Sequence, residues 1–376
     1  MERIGIVGLG AMGLGIAQVY AQAGHAVIAF DAGATARDSA PDRLRSSLEP
    51  RVAQGKLVAE DMAALLHRIA IAPDLSALAP CDLVIEAVIE DFEIKRSLLT
   101  EIEALTVPEA ILATNTSALS VGALAATLAR PDHLIGLHFF NPAPVMKLVE
   151  LVAHPGASPD ALARARQVTE RAGKAVIACA DSPGFIVNRC ARPYYGEALA
   201  LLEEGRSASD VDAAMLAAGY RMGPFSLIDL VGADINLAAT KGLARAMADH
   251  PRYHVFRALE AQVQAGRLGR KSGIGFLYPA SPGAAPAEAA AIRLRIEATL
   301  ANEAATLVEA GGATPDDIDR AMRLGLNFPR GPFESARLHG RDRVLAELDR
   351  LAHLAPAHLA GRYTICAALP ALVRPA

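Results

Sequence analysis

The 376-residue sequence predicts an α/β domain with a mostly parallel sheet, followed by an all-α region in which one helical pattern occurs twice. Three observations predict this. Short β-branched runs alternate with longer helical periods over residues 1–181. Strand-like runs stop at Asp181-Ser182-Pro183-Gly184, and Ala/Leu-rich helical periods follow to the end. Landmarks in that second part recur in the same order: Glu197 as Glu303, Asp212 as Asp319 and Gly223 as Gly331, offsets of 106, 107 and 108 residues.

The apolar runs are Arg3–Leu9, Ala26–Phe30, Leu83–Val88, Ile111–Thr114, Leu134–Phe139 and Ala175–Ala178, with helix-like segments such as Met12–Ala23 and Phe92–Ala104 between them. Near-continuous apolar strands separated by helices describe a parallel sheet covered on both faces. Lys147–Val152 follows its predecessor without a helix between, so it is expected to pair with it as an antiparallel hairpin.

In the helical part, Glu197–Gly205, Ser209–Met215 and Gly223-Pro224-Phe225 make one copy of the repeat. Glu303–Gly311, Pro315–Met322 and Gly331-Pro332-Phe333 make the second, across a linker at Pro279–Pro286. Repeats at a fixed period read as repeated structural units. Ser209 and Thr314 each precede a segment with early acidic residues and are expected as N-caps. The expected domains are therefore residues 1–181, 182–280 and 287–376.

Composition narrows the class. Hydrophobic residues make up 52% and charged residues 21%, as in a globular protein. Net charge is −4 and no Lys/Arg block stands out, which argues against nucleic acid or an anionic membrane as partner. No signal-peptide pattern opens the chain, and no apolar run approaches the roughly 20 residues of a membrane span. The four cysteines (Cys81, Cys179, Cys190 and Cys366) are widely spaced with no Cys-x-x-Cys, so reduced thiols in a cytoplasmic compartment are expected, with no metal site.

Gly8-Leu9-Gly10-Ala11-Met12-Gly13 follows a strand and opens a helix. The first glycine allows a tight turn, the second lets backbone approach a pyrophosphate, and the third packs helix on strand. Asp31 ends the next strand 18 residues after Gly13. A carboxylate there accepts from ribose hydroxyls and repels a 2′-phosphate. Ala32–Ala36 brings no cation and Arg37 is the first, so a Rossmann-type domain holding NAD rather than NADP is expected.

Chemistry is expected at Gly136-Leu137-His138-Phe139-Phe140-Asn141-Pro142, which sets a histidine near a strand end just before a turn. Glu150 lies twelve residues on, an acid inside Met146–Val152. An acid within an apolar strand is costly unless paired. A hairpin return brings Glu150 beside His138, where a carboxylate fixes the tautomer of an imidazole and stabilises its charged form. Oxidising a secondary alcohol needs such a base, because the hydroxyl proton must leave as the hydride departs.

These segments together resemble the 3-hydroxyacyl-CoA dehydrogenase family. The resemblance is carried by Gly8–Gly13 with Ile16-Ala17, Asp82–Asp91 with Lys95, Thr114-Asn115-Thr116-Ser117, His138–Pro142 with Glu150, Ser182–Arg189 and Gly269–Gly273. It covers the chain to about residue 280. Asn327–Phe333, in the second copy, is similar to the variant with duplicated C-terminal domains found among bacterial 3-hydroxybutyryl- and 3-hydroxyadipyl-CoA dehydrogenases.

The resemblance implies NAD-dependent, reversible oxidation of a (3S)-3-hydroxyacyl-CoA to the 3-ketoacyl-CoA. It makes His138 the base and Glu150 its orienting partner, with Ser117 and Asn188 donating to the substrate oxygen. It places Glu90, Lys95, Ser117, Asn141 and Lys271 on NAD beside the glycine loop (Gly8, Leu9, Gly10, Ala11, Met12, Gly13) and Asp31. The family holds CoA with a Ser/Lys-bearing helical hairpin, for which Ser47 and Lys56 are the candidates here. Pro50 is expected to interrupt that helix. Members with one helical domain pair through it as dimers, so the second copy is expected to mimic that contact within one chain, leaving a monomer or a homodimer. Two other functions stay open at this point: a β-hydroxyacid dehydrogenase acting on a free acid, which relies on a lysine base, and a crystallin-like NAD-binding protein without activity.

Overall fold

The strands are β1 (Arg3–Val7), β2 (Ala26–Phe30), β3 (Ile69–Ile71), β4 (Leu83–Glu86), β5 (Ile111–Thr114), β6 (Leu134–Phe139), β7 (Leu148–Ala153) and β8 (Ala175–Ala180) in the computed structural model, which describes residues 1–374, and all but β3 arise from the expected runs. They form one eight-stranded sheet in the order β3-β2-β1-β4-β5-β6-β7-β8. Neighbours run parallel from β3 to β6, β7 is antiparallel to β6, and β8 is parallel to β7. Every residue of β4, β5 and β6 is buried, as the unbroken apolar runs require. The three-residue β3 has no counterpart among the expected runs, being too short and half-exposed to leave a pattern.

Helices α1 (Ala11–Gln22), α2 (Ala34–Ala53), α3 (Ala59–His67), α4 (Phe92–Leu105), α5 (Val121–Ala125) and α6 (Pro159–Arg171) complete this unit. One expectation is corrected here: α2 runs through both Pro41 and Pro50 to Ala53. Pro50 falls in the last turn, where it forfeits one ladder bond, and its own carbonyl still accepts from Gln54 N at 3.1 Å.

The chain divides into two compact units between Ser182 and Pro183. In the second, α7 (Val187–Cys190), α8 (Arg192–Glu203), α9 (Ala208–Ala217), α10 (Pro224–Val231), α11 (Ala233–Ala246) and α12 (Arg257–Gln264) precede the linker, and α13 (Ala289–Glu309), α14 (Pro315–Leu326), α15 (Pro332–His339), α16 (Arg341–Leu354) and α17 (Leu369–Leu372) follow it. Both helical copies lie in this single unit, with α13 packed on α8 and α9. The N-cap of α9 is Ser207 and not Ser209, because α9 starts one residue after it and Ser207 accepts from Asp210 N. Thr314 caps α14 as expected.

The repeated Gly-Pro-Phe is explained by a buried acid. Asp212 accepts from Phe225 N and Ser226 N, both at 2.8 Å, and Asp319 accepts from Phe333 N at 2.8 Å and Glu334 N at 3.1 Å. A Cβ at Gly223 or Gly331 would come within 2.2 Å of those carboxylates, so only glycine fits.

The copies are also wired to each other. Glu197 of the first accepts from Arg295 Nε (2.9 Å), Arg362 Nε (2.8 Å) and Tyr363 Oη (3.1 Å) of the second. Glu303 of the second accepts from Arg189 Nε (2.7 Å), Tyr253 Oη (2.6 Å) and Arg252 Nη1 (3.4 Å) of the first. Residue i of one copy meets residue j of the other and the reverse, the pattern of a two-fold interface.

Candidate active site

Strand order reverses between β1 and β4, and in doubly wound sheets ligands bind outside the carboxyl ends of the strands at that point. The glycine loop sits there. Gly8 has φ +99°, and a Cβ on it would be 2.6 Å from the Ala87 carbonyl, so the loop after β4 lies directly against it. A Cβ on Gly13 would be 1.7 Å from the Gly8 carbonyl, which enforces the close helix–strand approach. A Cβ on Gly10 would meet nothing within 4 Å. That open space faces the start of α1, whose first turn carries neither a side-chain cap nor an acid. Such a terminus suits a diphosphate, so the residues fit a dinucleotide. Asp31 braces the loop, accepting from Leu9 N at 2.7 Å and Gly33 N at 2.8 Å.

The same C-terminal edge carries His138 on β6. Its register partner on antiparallel β7 is Glu150, directly opposite. Nδ1–H donates to Glu150 Oε2 at 2.6 Å, an assignment that follows because a carboxylate only accepts. Glu150 is fully buried and His138 nearly so. The Phe140 ring lies 4.6 Å from the imidazole, and Asn115 Oδ1 accepts from Phe139 N at 2.8 Å, tying the ends of β5 and β6 together. The pair predicted from spacing alone is thus brought together.

Ser117 stands in the turn after β5. Glu90 Oε1 accepts from Ser117 N (2.8 Å), Ser117 Oγ (3.2 Å), Thr116 Oγ1 (2.7 Å) and Ala118 N (3.0 Å). Burial works to raise the Glu90 carboxyl, but the Thr116 hydroxyl, the Lys95 charge and Ser117 outweigh it and hold it below the usual range. Lys95, expected on the cofactor, has its ammonium turned into the protein, 2.6 Å from Glu86 Oε1 and 3.5 Å from Glu90 Oε2. Here it braces Glu90 from behind.

A cavity of about 510 Å³ opens between α1, α2 and the turn after β6, lined by residues that include Gln18, Arg43, Ser47, Arg51, Asn141 and Val145. Ser47 is in that lining; its hydroxyl donates to Leu44 O at 2.7 Å. Lys56 is not: it is exposed and bonded to Gln54. Sequence reasoning missed Arg43 and Arg51. They stand four residues either side of Ser47, on one face of α2, which becomes visible once the helix is allowed to pass Pro50. Asn188 and Lys271 belong to the second unit: Asn188 lies in α7, and Lys271 Nζ pairs with Asp234 Oδ1 at 2.5 Å. Among the described residues no group of three or more His, Cys, Asp or Glu is placed to hold a metal ion.

Comparison with known proteins follows the same division. The profile described as 3-hydroxyacyl-CoA dehydrogenase, NAD binding domain, matches residues 3–182, and the one for the C-terminal domain matches residues 184–278 and 292–374. A 3-hydroxyadipyl-CoA dehydrogenase of Escherichia coli (strain K12) is 34% identical, covering 94% of this chain and 94% of its own length. A 3-hydroxybutyryl-CoA dehydrogenase of Bradyrhizobium diazoefficiens is 38% identical over 73% of this chain and 94% of its own. The crystal structure of a 3-hydroxybutyryl-CoA dehydrogenase from Escherichia coli K12 superposes with a TM-score of 0.92 at 33% identity, over 99% of this chain and 98% of that one.

Proposed function

The chain belongs to the 3-hydroxyacyl-CoA dehydrogenase family, an NAD-dependent oxidoreductase, and on that premise we propose that it oxidises (3S)-3-hydroxybutyryl-CoA or a related acyl-CoA, with His138 as general base. The observation that carries this reading is the His138–Glu150 pair at 2.6 Å, on the strand edge where the glycine loop also ends.

When bound, NAD supplies the acceptor for a hydride; the glycine loop and the start of α1 hold its diphosphate. Asp31 disfavours a 2′-phosphate, so catalytic efficiency with NADP is expected to fall below that with NAD. His138 takes the 3-hydroxyl proton at Nε2 as the C3–H bond breaks with its electron pair and the C3–O bond becomes a carbonyl. Glu150 keeps Nδ1 protonated and balances the imidazolium. Ser117 donates to the substrate oxygen, as uncharged donors suit the charge developing there. Asn188 and Lys271 enter this reading through the family resemblance alone. Arg43 and Arg51, with Ser47, hold the phosphates of CoA.

The decisive assay follows NADH oxidation with 3-ketoacyl-CoAs of graded length and one dicarboxylic acyl-CoA. A preference among thioesters is expected; activity on the free acid but not the thioester would overturn the reading. We further place the protein in a reducing, cytoplasmic compartment, which four widely spaced cysteines with no Cys-x-x-Cys suit. The crossed pairing of Glu197 and Glu303 supports the second copy as an internal mimic of a dimer contact. Sedimentation at the mass of one chain is the expected result, and a stable dimer joined through the helical unit would contradict it.

A further inference from the structure

Three ionisable side chains at the cofactor edge take no part in the proton transfer above. Glu86, the last residue of β4, is fully buried; Lys95 in α4 is 1% exposed; Glu90, in the loop between, is 37% exposed. The Lys95 ammonium lies between the two carboxylates, 2.6 Å from one and 3.5 Å from the other. Glu86 is held in place by Thr114 Oγ1 at 2.7 Å and Val88 N at 2.7 Å.

Lys95 and Glu90 alone would form a neutral pair. Adding Glu86 gives two negative charges against one positive, a net charge of −1. Burying a carboxylate is expensive, and an apolar residue would have filled the strand at lower cost. Neighbouring positions of β4, Leu83, Val84 and Ile85, are apolar. The extra charge therefore calls for an explanation beyond folding, and its position offers one. The loop that carries Glu90 abuts Gly8 of the dinucleotide loop, and β4 borders the crevice where strand order reverses.

The nicotinamide ring is cationic when oxidised and neutral when reduced. A fixed negative charge beside it strengthens binding of the first form over the second. We propose that Glu86 is a positioning residue which, acting through Lys95 and never touching the cofactor, keeps the Glu90 edge anionic and biases the site toward NAD+ over NADH. This rests on Glu90 lining the cofactor site, as the family resemblance implies.

The test measures equilibrium affinity of the whole chain for NAD+ by calorimetry and for NADH by its fluorescence, with no substrate present. Glu86→Gln is expected to weaken NAD+ binding about fivefold, the order expected for one unit charge in a partly screened site, and to change NADH binding less than twofold. Glu86→Asp keeps the charge and should restore the ratio of the two affinities. Equal weakening of both forms, or no change in either, overturns the proposal. Should Glu86→Gln fail to fold, Glu90→Gln removes the same unit charge from a half-exposed position, and an unmoved affinity ratio there overturns it equally. Failure of the dehydrogenase reading itself would look different: the unmodified chain would bind neither form.

Discussion

Glu150 in the N-terminal unit and Glu303 in the helical unit are both fully buried, yet they are paired to different ends. Glu303 accepts from two guanidiniums and a phenol, Arg189, Arg252 and Tyr253. None of these changes charge near neutral pH: burial and the Glu303 charge push the Tyr253 phenol well above its ordinary range. Glu150 is bonded instead to an imidazole, the side-chain type that most often takes and returns a proton in catalysis. Burial of charge therefore does not mark the working site; the capacity of its partner to exchange a proton does. A third pair refines the point. His339 Nε2 lies 2.5 Å from Glu297, but Glu297 is already matched by Arg293 at 2.8 Å. An imidazole whose carboxylate already answers a guanidinium is read as part of a structural ion cluster, whereas Glu150 answers the His138 imidazole itself.

This contrast can be broken most directly by exchanging the two histidines for glutamine in turn. His138→Gln is expected to lower kcat by about 10²-fold or more, the usual size of a lost general base, with NAD affinity nearly unchanged. His339→Gln should leave kcat within about twofold, and steady-state kinetics on both variants decides. Next in size is Glu303→Gln, which takes the charge partner from the buried Arg189 and the partly buried Arg252. Urea unfolding should show a loss of roughly 3 kcal/mol while the folded fraction turns over normally; a kcat loss as large as that of His138→Gln would erase the distinction. Arg51→Ala should raise KM for the acyl-CoA about tenfold, the worth of one charge-assisted hydrogen bond, with kcat steady. Lys56→Ala should do nothing measurable to KM.

A last effect concerns pH. Burial pushes the Asp319 carboxyl up to about 6 from 3.8, despite its bonds to Phe333 N and Glu334 N. The folded chain thus holds this proton more tightly than the unfolded one. Its contribution to stability is complete below about pH 4 and is lost as pH rises through 6. Asp319→Asn should flatten the unfolding free energy across that interval by roughly 2 kcal/mol relative to the parent. A parallel pair of pH curves would refute it.

Much of the site was legible because its spacing is local. An alternating register carries His138 and Glu150 into opposition once the turn at Asn141-Pro142 is recognised, and three glycines at fixed offsets have a backbone meaning that no other residue shares. What escaped notice depends on context. Ile69–Ile71 is too short to show a period. Pro50 reads as a helix breaker, though in a terminal turn it breaks little, and that misreading hid the arginine face of α2. The crossed pairs of Glu197 and Glu303 join groups dozens to more than a hundred residues apart, several of them on loops, so no window along the chain contains them. Glu86 reads as one more member of a strand, because only the fold shows that Lys95 points back at it.

The crossed arrangement has a consequence for how the polypeptide tolerates damage. No helix spans Pro279 to Glu288, so a protease cutting there severs only connecting backbone. Each fragment would then keep half of two buried ionic clusters and would need the other to satisfy them. The cleaved material should therefore survive as a nicked, co-purifying complex, and the fragments, expressed separately, should become soluble only when mixed.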